Sequence, residues 1–216
     1  MFIENTQNET FLCPAFLFGP RGAGKTKLST KFLAEQKLSG RSTFEIDLLS
    51  LKQQGRYLNA PELFRTDLEY QLQKCEGSLL VFIDEIQKIP SLLDEVHYFL
   101  EAELEKKVQF LLTGSSARKL RRGGANLLAG RVFSLSLHPL SQMDIQLNLE
   151  RALQYGTLPG LYFAEQNVDL LLESYVETYL KEEIQSERLV RALAPFQRFL
   201  SLAAQMNGQL INFSEC

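Results

Sequence analysis

The chain contains the stretch Gly19-Pro20-Arg21-Gly22-Ala23-Gly24-Lys25-Thr26, which matches the phosphate-loop pattern G-x-x-x-x-G-K-[ST] at every fixed position. The apolar run Ala15–Phe18 before it predicts a buried strand, and Lys27–Leu33 after it predicts a helix. A strand, a glycine-containing loop and a helix N-terminus together offer backbone N–H groups and a partial positive charge to a phosphate chain. A glycine turn that contains a lysine by chance would not require these flanks. The sequence therefore predicts binding of a nucleoside triphosphate, with Lys25 at the β- and γ-phosphates and the Thr26 hydroxyl at Mg²⁺.

A second motif is the apolar run Ser78–Ile83, which ends in the two carboxylates Asp84 and Glu85. Apolar residues without alternation predict a parallel strand that is covered on both faces. Since open α/β sheets bind ligands at the carboxyl ends of their strands, Asp84 is expected to bind Mg²⁺ and Glu85 to polarise a water for attack on the γ-phosphate. The alternative is that the pair caps a following helix. That alternative is disfavoured because Ile86–Pro90 does not begin an obvious helix.

A third apolar segment, Val108–Thr113, is followed by Gly114-Ser115-Ser116. It predicts another buried strand, whose terminal hydroxyl groups hydrogen-bond either the attacking water or the γ-phosphate. The alternative is an ordinary polar turn. Because the segment follows the acidic strand after one helix, its place in the chain favours a role at the nucleotide.

The composition is ordinary for a globular protein: 216 residues, 45% hydrophobic, 23% charged and a net charge of -3. A net acidic chain is not expected to coat nucleic acid, although a local basic face remains compatible with it. The three widely spaced cysteines favour reduced thiols over a disulfide framework or a zinc site. No basic leader opens the sequence, and no apolar stretch approaches the roughly 20 residues that cross a bilayer. We expect a cytoplasmic protein that does not use a membrane as a partner.

The order of segments predicts an α/β fold, a mostly parallel sheet flanked by helices. Strand and helix patterns alternate up to a seam near Leu140, so residues 1–140 are expected to form the ATP-binding core. Helical periodicity dominates residues 141–194, which predicts a helical lid or subdomain. A further amphipathic helix begins near Pro195 and opens the last segment, residues 195–216.

A basic segment without acidic residues lies between two of the predicted strands. Its cationic residues are Arg118, Lys119, Arg121, Arg122 and Arg131. Three interpretations stay open: a solvated loop, an arginine that reaches a γ-phosphate in the same or a neighbouring chain, and contact with a nucleic-acid backbone. Arg131 is the first choice for the phosphate role because it adjoins a predicted strand.

Taken together, these motifs resemble the prokaryotic AAA+ ATPases of the subfamily with an uncharacterised C-terminal domain. The resemblance runs from about Phe16 to the end of the chain. It rests on the phosphate loop and on the strings Phe82-Ile83-Asp84-Glu85-Ile86-Gln87-Lys88-Ile89-Pro90, Leu112-Thr113-Gly114-Ser115-Ser116-Ala117-Arg118-Lys119-Leu120, Leu128-Ala129-Gly130-Arg131 and His138-Pro139-Leu140.

The resemblance implies a sheet of strand order 5-1-4-3-2, with ATP and Mg²⁺ as ligands. It implies Lys25 and Thr26 at the phosphates and the metal, and Asp84 and Glu85 as metal ligand and catalytic base. Ser115 or Ser116 is implied as a γ-phosphate sensor. The turn Gly156-Thr157-Leu158-Pro159 resembles an element that related ATPases place against the nucleotide base, which would put Pro159 there.

The C-terminal segment departs from that family pattern. In relatives, a segment like Phe196–Ser214 looks like the opening of a winged helix-turn-helix, whereas here the sequence stops at Cys216, before a recognition helix. We therefore expect a truncated protein or a fragment.

The expected function is Mg²⁺-dependent hydrolysis of ATP to ADP and phosphate, coupled to movement of the attached C-terminal domain. The alternatives are a nucleotide-loaded switch with negligible turnover and a DNA-associated ATPase. Homo-oligomers and a DNA or protein partner of the C-terminal region stay open. Since no guanine-reading N-K-x-D string is present, ATP is favoured over GTP.

Overall fold

A computed structural model describes residues 14–102, 107–115, 120, 128, 130–185 and 189–209. Within this part of the chain, five strands form one sheet in which every neighbouring pair is parallel. The strands are β1 (Ala15–Phe18), β2 (Ser42–Asp47), β3 (Leu79–Asp84), β4 (Val108–Gly114) and β5 (Phe133–Ser136). They are ordered β2-β3-β4-β1-β5. This confirms the predicted α/β fold and the strand order that the family resemblance implied.

Helices connect the first four strands. They are α1 (Lys25–Leu38), α2 (Leu51–Asn59), α3 (Glu62–Lys74) and α4 (Leu92–Glu101). A short 3₁₀ turn, Ile86–Lys88, follows β3 directly. Helix α2 lies in a polar stretch whose pattern predicts no helix, and the 3₁₀ turn lies in Ile86–Pro90, where no obvious helix was expected.

The sheet is buried on both faces by apolar side chains that alternate along its central strands. In β1, Phe16 and Phe18 pack into one cluster, whereas Ala15 and Leu17 pack into the other. Strands β3 and β4 divide their residues between the two clusters in the same way. Both faces of the central strands therefore require apolar residues, which explains their hydrophobic runs, interrupted in β4 by the half-buried Gln109. The edge strands β2 and β5 are mostly exposed or half-buried.

The chain divides into two compact units between Phe163 and Ala164. The first unit holds the sheet, α1 to α4 and two further helices, α5 (Leu149–Tyr155) and α6 (Pro159–Tyr162). The sequence analysis had assigned these two helices to a separate segment that begins at residue 141.

The second unit is helical. Helix α7 (Val168–Tyr179) continues into a π-helical segment, Leu180–Gln185, and α8 (Leu193–Gln205) follows. Among its described residues, the buried apolar side chains are those of Val168, Leu180 and Ile184. Among the described residues, no helix is both long enough and apolar enough to span a membrane.

Candidate active site

The phosphate loop leaves the end of β1 and enters α1 through a left-handed residue. Gly24 has φ 99° at the N-cap of α1, a conformation that residues with a Cβ rarely adopt. Lys25, the first residue of the helix, is only 5% exposed. Its Nζ donates to the carbonyl oxygens of Gly19 at 2.8 Å and Pro20 at 3.1 Å. The ammonium therefore lies across the loop, where phosphate oxygens of a nucleotide can replace these carbonyls.

The start of the loop packs against the end of the neighbouring strand. A Cβ built on Gly19 would lie 2.3 Å from the backbone carbonyl oxygen of Leu137, the residue after β5. Such a contact is far shorter than van der Waals separation, and a backbone carbonyl cannot rotate away as a side chain can. Glycine at position 19 therefore permits the close approach of the phosphate loop to β5.

We expect Gly19→Ala to lower the free energy of unfolding by about 2–3 kcal/mol, since the loop and β5 must separate to admit the methyl group. Chemical denaturation at equilibrium measures this change. Gly55→Ala is the matched control, because Gly55 lies inside α2 with open space around its Cβ position. The control is expected to raise stability by about 0.5–1 kcal/mol. Equal stability of Gly19→Ala and the wild type would contradict the close approach.

Asp84, the last residue of β3, is buried and accepts two hydroxyl hydrogen bonds. Thr26 Oγ1 donates to Oδ2 at 3.0 Å, and Thr113 Oγ1 donates to Oδ1. Because β4 lies between β3 and β1, Thr113 at the end of β4 occupies the gap between the phosphate loop and the acidic strand. The carboxylate of Asp84 and the hydroxyl of Thr26 are hard oxygen donors beside the phosphate loop. This donor set fits Mg²⁺, which typically binds one or two carboxylates together with substrate phosphates.

Within the described residues, no group of three or more histidine, cysteine, aspartate or glutamate side chains gathers as a self-sufficient metal site.

Glu85 has an unusual backbone conformation for a residue with a side chain, with φ 59° and ψ 45°. Its backbone N–H donates to Thr113 Oγ1 at 3.2 Å. The 3₁₀ turn begins at the next residue, so Glu85 does take the N-cap position, but its side chain makes no capping hydrogen bond. Its carboxylate instead accepts from the amide of Gln87. The left-handed turn therefore directs Glu85 toward other site residues and away from a capping role.

Ser115 follows β4 and is joined to Glu85 through one shared side chain. Gln87 Nε2 donates to Ser115 Oγ at 3.1 Å and also to Glu85 Oε2. Four of the residues predicted from the sequence therefore form two pairs. Thr26 bonds directly to Asp84, and Glu85 is joined to Ser115 through Gln87. Thr113 connects the two pairs, because it bonds to the Asp84 carboxylate and to the backbone N–H of Glu85. No role for Gln87 was predicted from the sequence, and Thr113 was predicted only as part of the polar end of the third apolar segment. A signal for Thr113 was present, as a threonine at the end of an otherwise apolar run.

The turn before α6 lies close to the chain that leaves β5. The backbone N–H of Leu140 donates to the carbonyl oxygen of Thr157 at 2.9 Å, and Pro159 is the first residue of α6. Leu137, the residue after β5, lies against Gly19 at the start of the phosphate loop. The turn before α6 and the phosphate loop therefore both lie beside the short segment 137–140. The role of Pro159 at the nucleotide base stays a prediction.

Arg131 lies away from the phosphate loop of its own chain. It precedes β5, and the parallel register pairs Ala15 with Phe133 and Phe18 with Ser136. The loop leaves β1 after Phe18, so it starts from the opposite edge of the sheet. Arg131 Nη2 donates to Glu101 Oε1 at 2.9 Å, and Nη1 is 2.7 Å from His97 Nε2, both on α4. Nearness to a strand therefore does not bring Arg131 to the phosphates of its own chain, and a role at a neighbouring chain's nucleotide stays a prediction.

Several sequence-predicted candidates lie outside the described residues. They are Ser116, Arg118, Lys119, Arg121 and Arg122. The interpretations of the basic segment as a solvated loop, a phosphate contact or a nucleic-acid contact therefore stay as the sequence left them.

Comparison with known protein families identifies the domain that contains this site. A family model described as an AAA domain matches residues 14–146, which is more than half of the 216-residue chain. The match extends from the start of β1 past the end of β5 and includes the site residues from Gly19 to Ser115. A search of curated proteins finds no match to the chain.

Proposed function

The chain belongs to the AAA domain family of P-loop ATPases, and we propose that it binds ATP together with Mg²⁺ and hydrolyses it to ADP and phosphate. The observation that carries this proposal is the hydrogen bond between Thr26 and Asp84, with Thr113 linking Asp84 to Glu85. It unites a phosphate loop, a carboxylate for a metal and a second carboxylate for a water at one edge of the sheet. A structural role alone does not require these three groups together.

Binding is proposed to begin at the phosphate loop. Backbone N–H groups of residues 19–24 and the N-terminus of α1 receive the phosphate chain, and Lys25 exchanges the carbonyl oxygens of Gly19 and Pro20 for phosphate oxygens. Thr26 and Asp84 would hold Mg²⁺, which when bound neutralises charge on the β- and γ-phosphate oxygens.

Hydrolysis is proposed to use Glu85 as the base. Its carboxylate orients a water and takes a proton as the water oxygen bonds to the γ-phosphorus. The bond from that phosphorus to the β–γ bridging oxygen breaks, and ADP leaves with the electron pair. The Ser115 hydroxyl donates a hydrogen bond to a γ-phosphate oxygen, which stabilises the charge that spreads over those oxygens in the transition state.

Two wider elements belong to the proposal. Hydrolysis would be coupled to movement of the helical unit that begins at Ala164. Arg131 would contact the γ-phosphate of a neighbouring chain in a homo-oligomer, since its position before β5 directs it away from its own nucleotide.

Phosphate release from ATP, measured across a series of protein concentrations, tests the proposal. We expect turnover that requires Mg²⁺ and stops when EDTA is added. Without the metal ion, the site beside Thr26 and Asp84 has no positive charge that offsets the negative charge of the phosphates. Specific activity that rises with protein concentration is expected if Arg131 acts between chains. Tight ATP binding without turnover at any concentration would favour a nucleotide-loaded switch. If ATP at millimolar concentration gave neither turnover nor a rise in unfolding temperature, the proposal would be wrong.

A further inference from the structure

Gln87 is a buried polar residue whose side-chain bonds join two predicted catalytic groups. It lies in the 3₁₀ turn after β3 and is 5% exposed. Its Nε2 donates to Glu85 Oε2 and to Ser115 Oγ, so the two N–H groups of the amide each have an acceptor. Its Oε1 is also buried and has no hydrogen-bond partner. The Gln87 amide thus donates to Glu85 and Ser115 although its own oxygen has no partner, which indicates that the surrounding residues hold the amide in one orientation.

The chemistry of the two acceptors fixes this orientation. A carboxylate only accepts hydrogen bonds, so turning Oε1 toward Glu85 would set two oxygen acceptors against each other. A Cβ built on Gly114 would lie 2.7 Å from Gln87 Oε1. Glycine at position 114 therefore leaves the space that the amide oxygen occupies.

We infer that Gln87 is a positioning residue for hydrolysis, which through one amide group orients both the base Glu85 and the γ-phosphate donor Ser115; this inference rests on the proposed function. By donating to one carboxylate oxygen of Glu85, Gln87 leaves the other to accept from water. By donating to Ser115 Oγ, it leaves the serine proton free to point toward a phosphate oxygen. A base that is oriented by a third group is a recurring arrangement in catalytic sites.

The test compares Gln87→Glu, which keeps the shape but removes both donors, and Gln87→Met, which removes them without adding charge. We expect kcat to fall by about 10- to 30-fold in both variants, since a misplaced base slows the reaction without preventing binding. ATP affinity, measured separately by calorimetry, is expected to stay within about threefold of the wild type, because Gln87 does not belong to the phosphate loop. Gln73→Glu is the matched control, because Gln73 is an exposed residue of α3.

Two further measurements keep the inference open to test if a Gln87 variant fails to fold. Gly114→Ala leaves Gln87 intact but displaces its amide, and it is expected to lower kcat in the same range. In protein labelled with ¹⁵N-glutamine, the Gln87 side-chain amide resonances are expected to shift from their wild-type positions in both Glu85→Gln and Ser115→Ala.

The outcomes separate the inference from the proposed function. Wild-type turnover together with unchanged kcat in Gln87→Glu and Gln87→Met overturns the inference alone. Parallel losses of ATP binding and unfolding temperature, with no separate effect on kcat, also overturn it, because they assign Gln87 to the fold. A wild-type protein that binds no ATP overturns both.

Discussion

Replacing Glu85 with glutamine is expected to slow ATP hydrolysis by about 10²- to 10⁴-fold while ATP still binds, the range that a positioned general base contributes. Glutamine keeps the size of the side chain and an oxygen that can accept from Gln87. It cannot take a proton from water at neutral pH. Since Glu85 lies after the strand and outside the phosphate loop, affinity for ATP is expected to change by less than about threefold. Single-turnover phosphate release and calorimetric titration with ATP measure the two quantities separately.

The matched control for this prediction is Glu76→Gln. Glu76 is exposed and lies in the connection that leads into β3, at the other end of the strand from Glu85. The control removes the same charge from the chain, so it is expected to hydrolyse ATP at the wild-type rate. Wild-type turnover in Glu85→Gln would mean that another group activates the water, and the assignment of the base would be withdrawn.

The fold was predictable where burial alone determines the sequence. Strands β1 and β3 are covered on both faces, so their residues are apolar up to the terminal Asp84, and the pattern predicts them directly. In β4 only Gln109 interrupts the apolar run before Thr113, so the pattern predicts this strand too. Helix α2 escaped prediction because it is short and carries Gly55 in its middle, which lowers its helix propensity, and of its nine residues only Tyr57 is buried.

The boundary between the two units depends on tertiary contacts that no pattern encodes. Tyr162 OH accepts from the backbone N–H of Asn148 at 2.7 Å, and Arg151 Nε donates to the carbonyl oxygen of Tyr162 at 2.6 Å. These bonds hold α5 to α6, and the Leu140–Thr157 bond joins their connection to the chain after β5. Helical periodicity begins near residue 141, but periodicity gives no information on which unit a helix packs with.

The candidate site also contains both residues that the sequence predicts and residues that it does not. Lys25, Thr26, Asp84 and Glu85 were predictable because the chemistry requires those residue types at fixed places in a motif. Gln87 was not predictable from the sequence, because its contacts depend on the left-handed backbone conformation at Glu85. This conformation turns the chain toward Ser115, which directly follows the neighbouring strand. A spacing of 28 residues between Gln87 and Ser115 has no signature in the sequence.

Arg131 illustrates how a correct local prediction can mislead about a site. The strand after it exists and is parallel to β1, as expected. Parallel strands start at one edge of the sheet and end at the other, and phosphate loops leave from the ends. A residue that precedes a parallel strand is therefore on the far edge from the nucleotide of its own chain, and a contact between Arg131 and a neighbouring chain's phosphate stays a prediction.

Replacing Lys25 with alanine is expected to weaken ATP binding by about 2–5 kcal/mol, or about 30-fold and upward, the usual cost of truncating one partner of a buried charged pair. The wild-type ammonium is 5% exposed and already lies across the loop that receives the phosphates, so its removal takes a positive charge from that point. Calorimetric titration with ATP and Mg²⁺ measures the change.

Lys27→Ala, which removes an exposed charge two residues along α1, is the control and is expected to bind ATP as the wild type does. Because alanine also removes the aliphatic stem of Lys25, Lys25→Met, which keeps a stem of similar length without the charge, separates loss of charge from loss of packing. ATP affinity that survives both Lys25 substitutions would place the phosphates somewhere other than this loop.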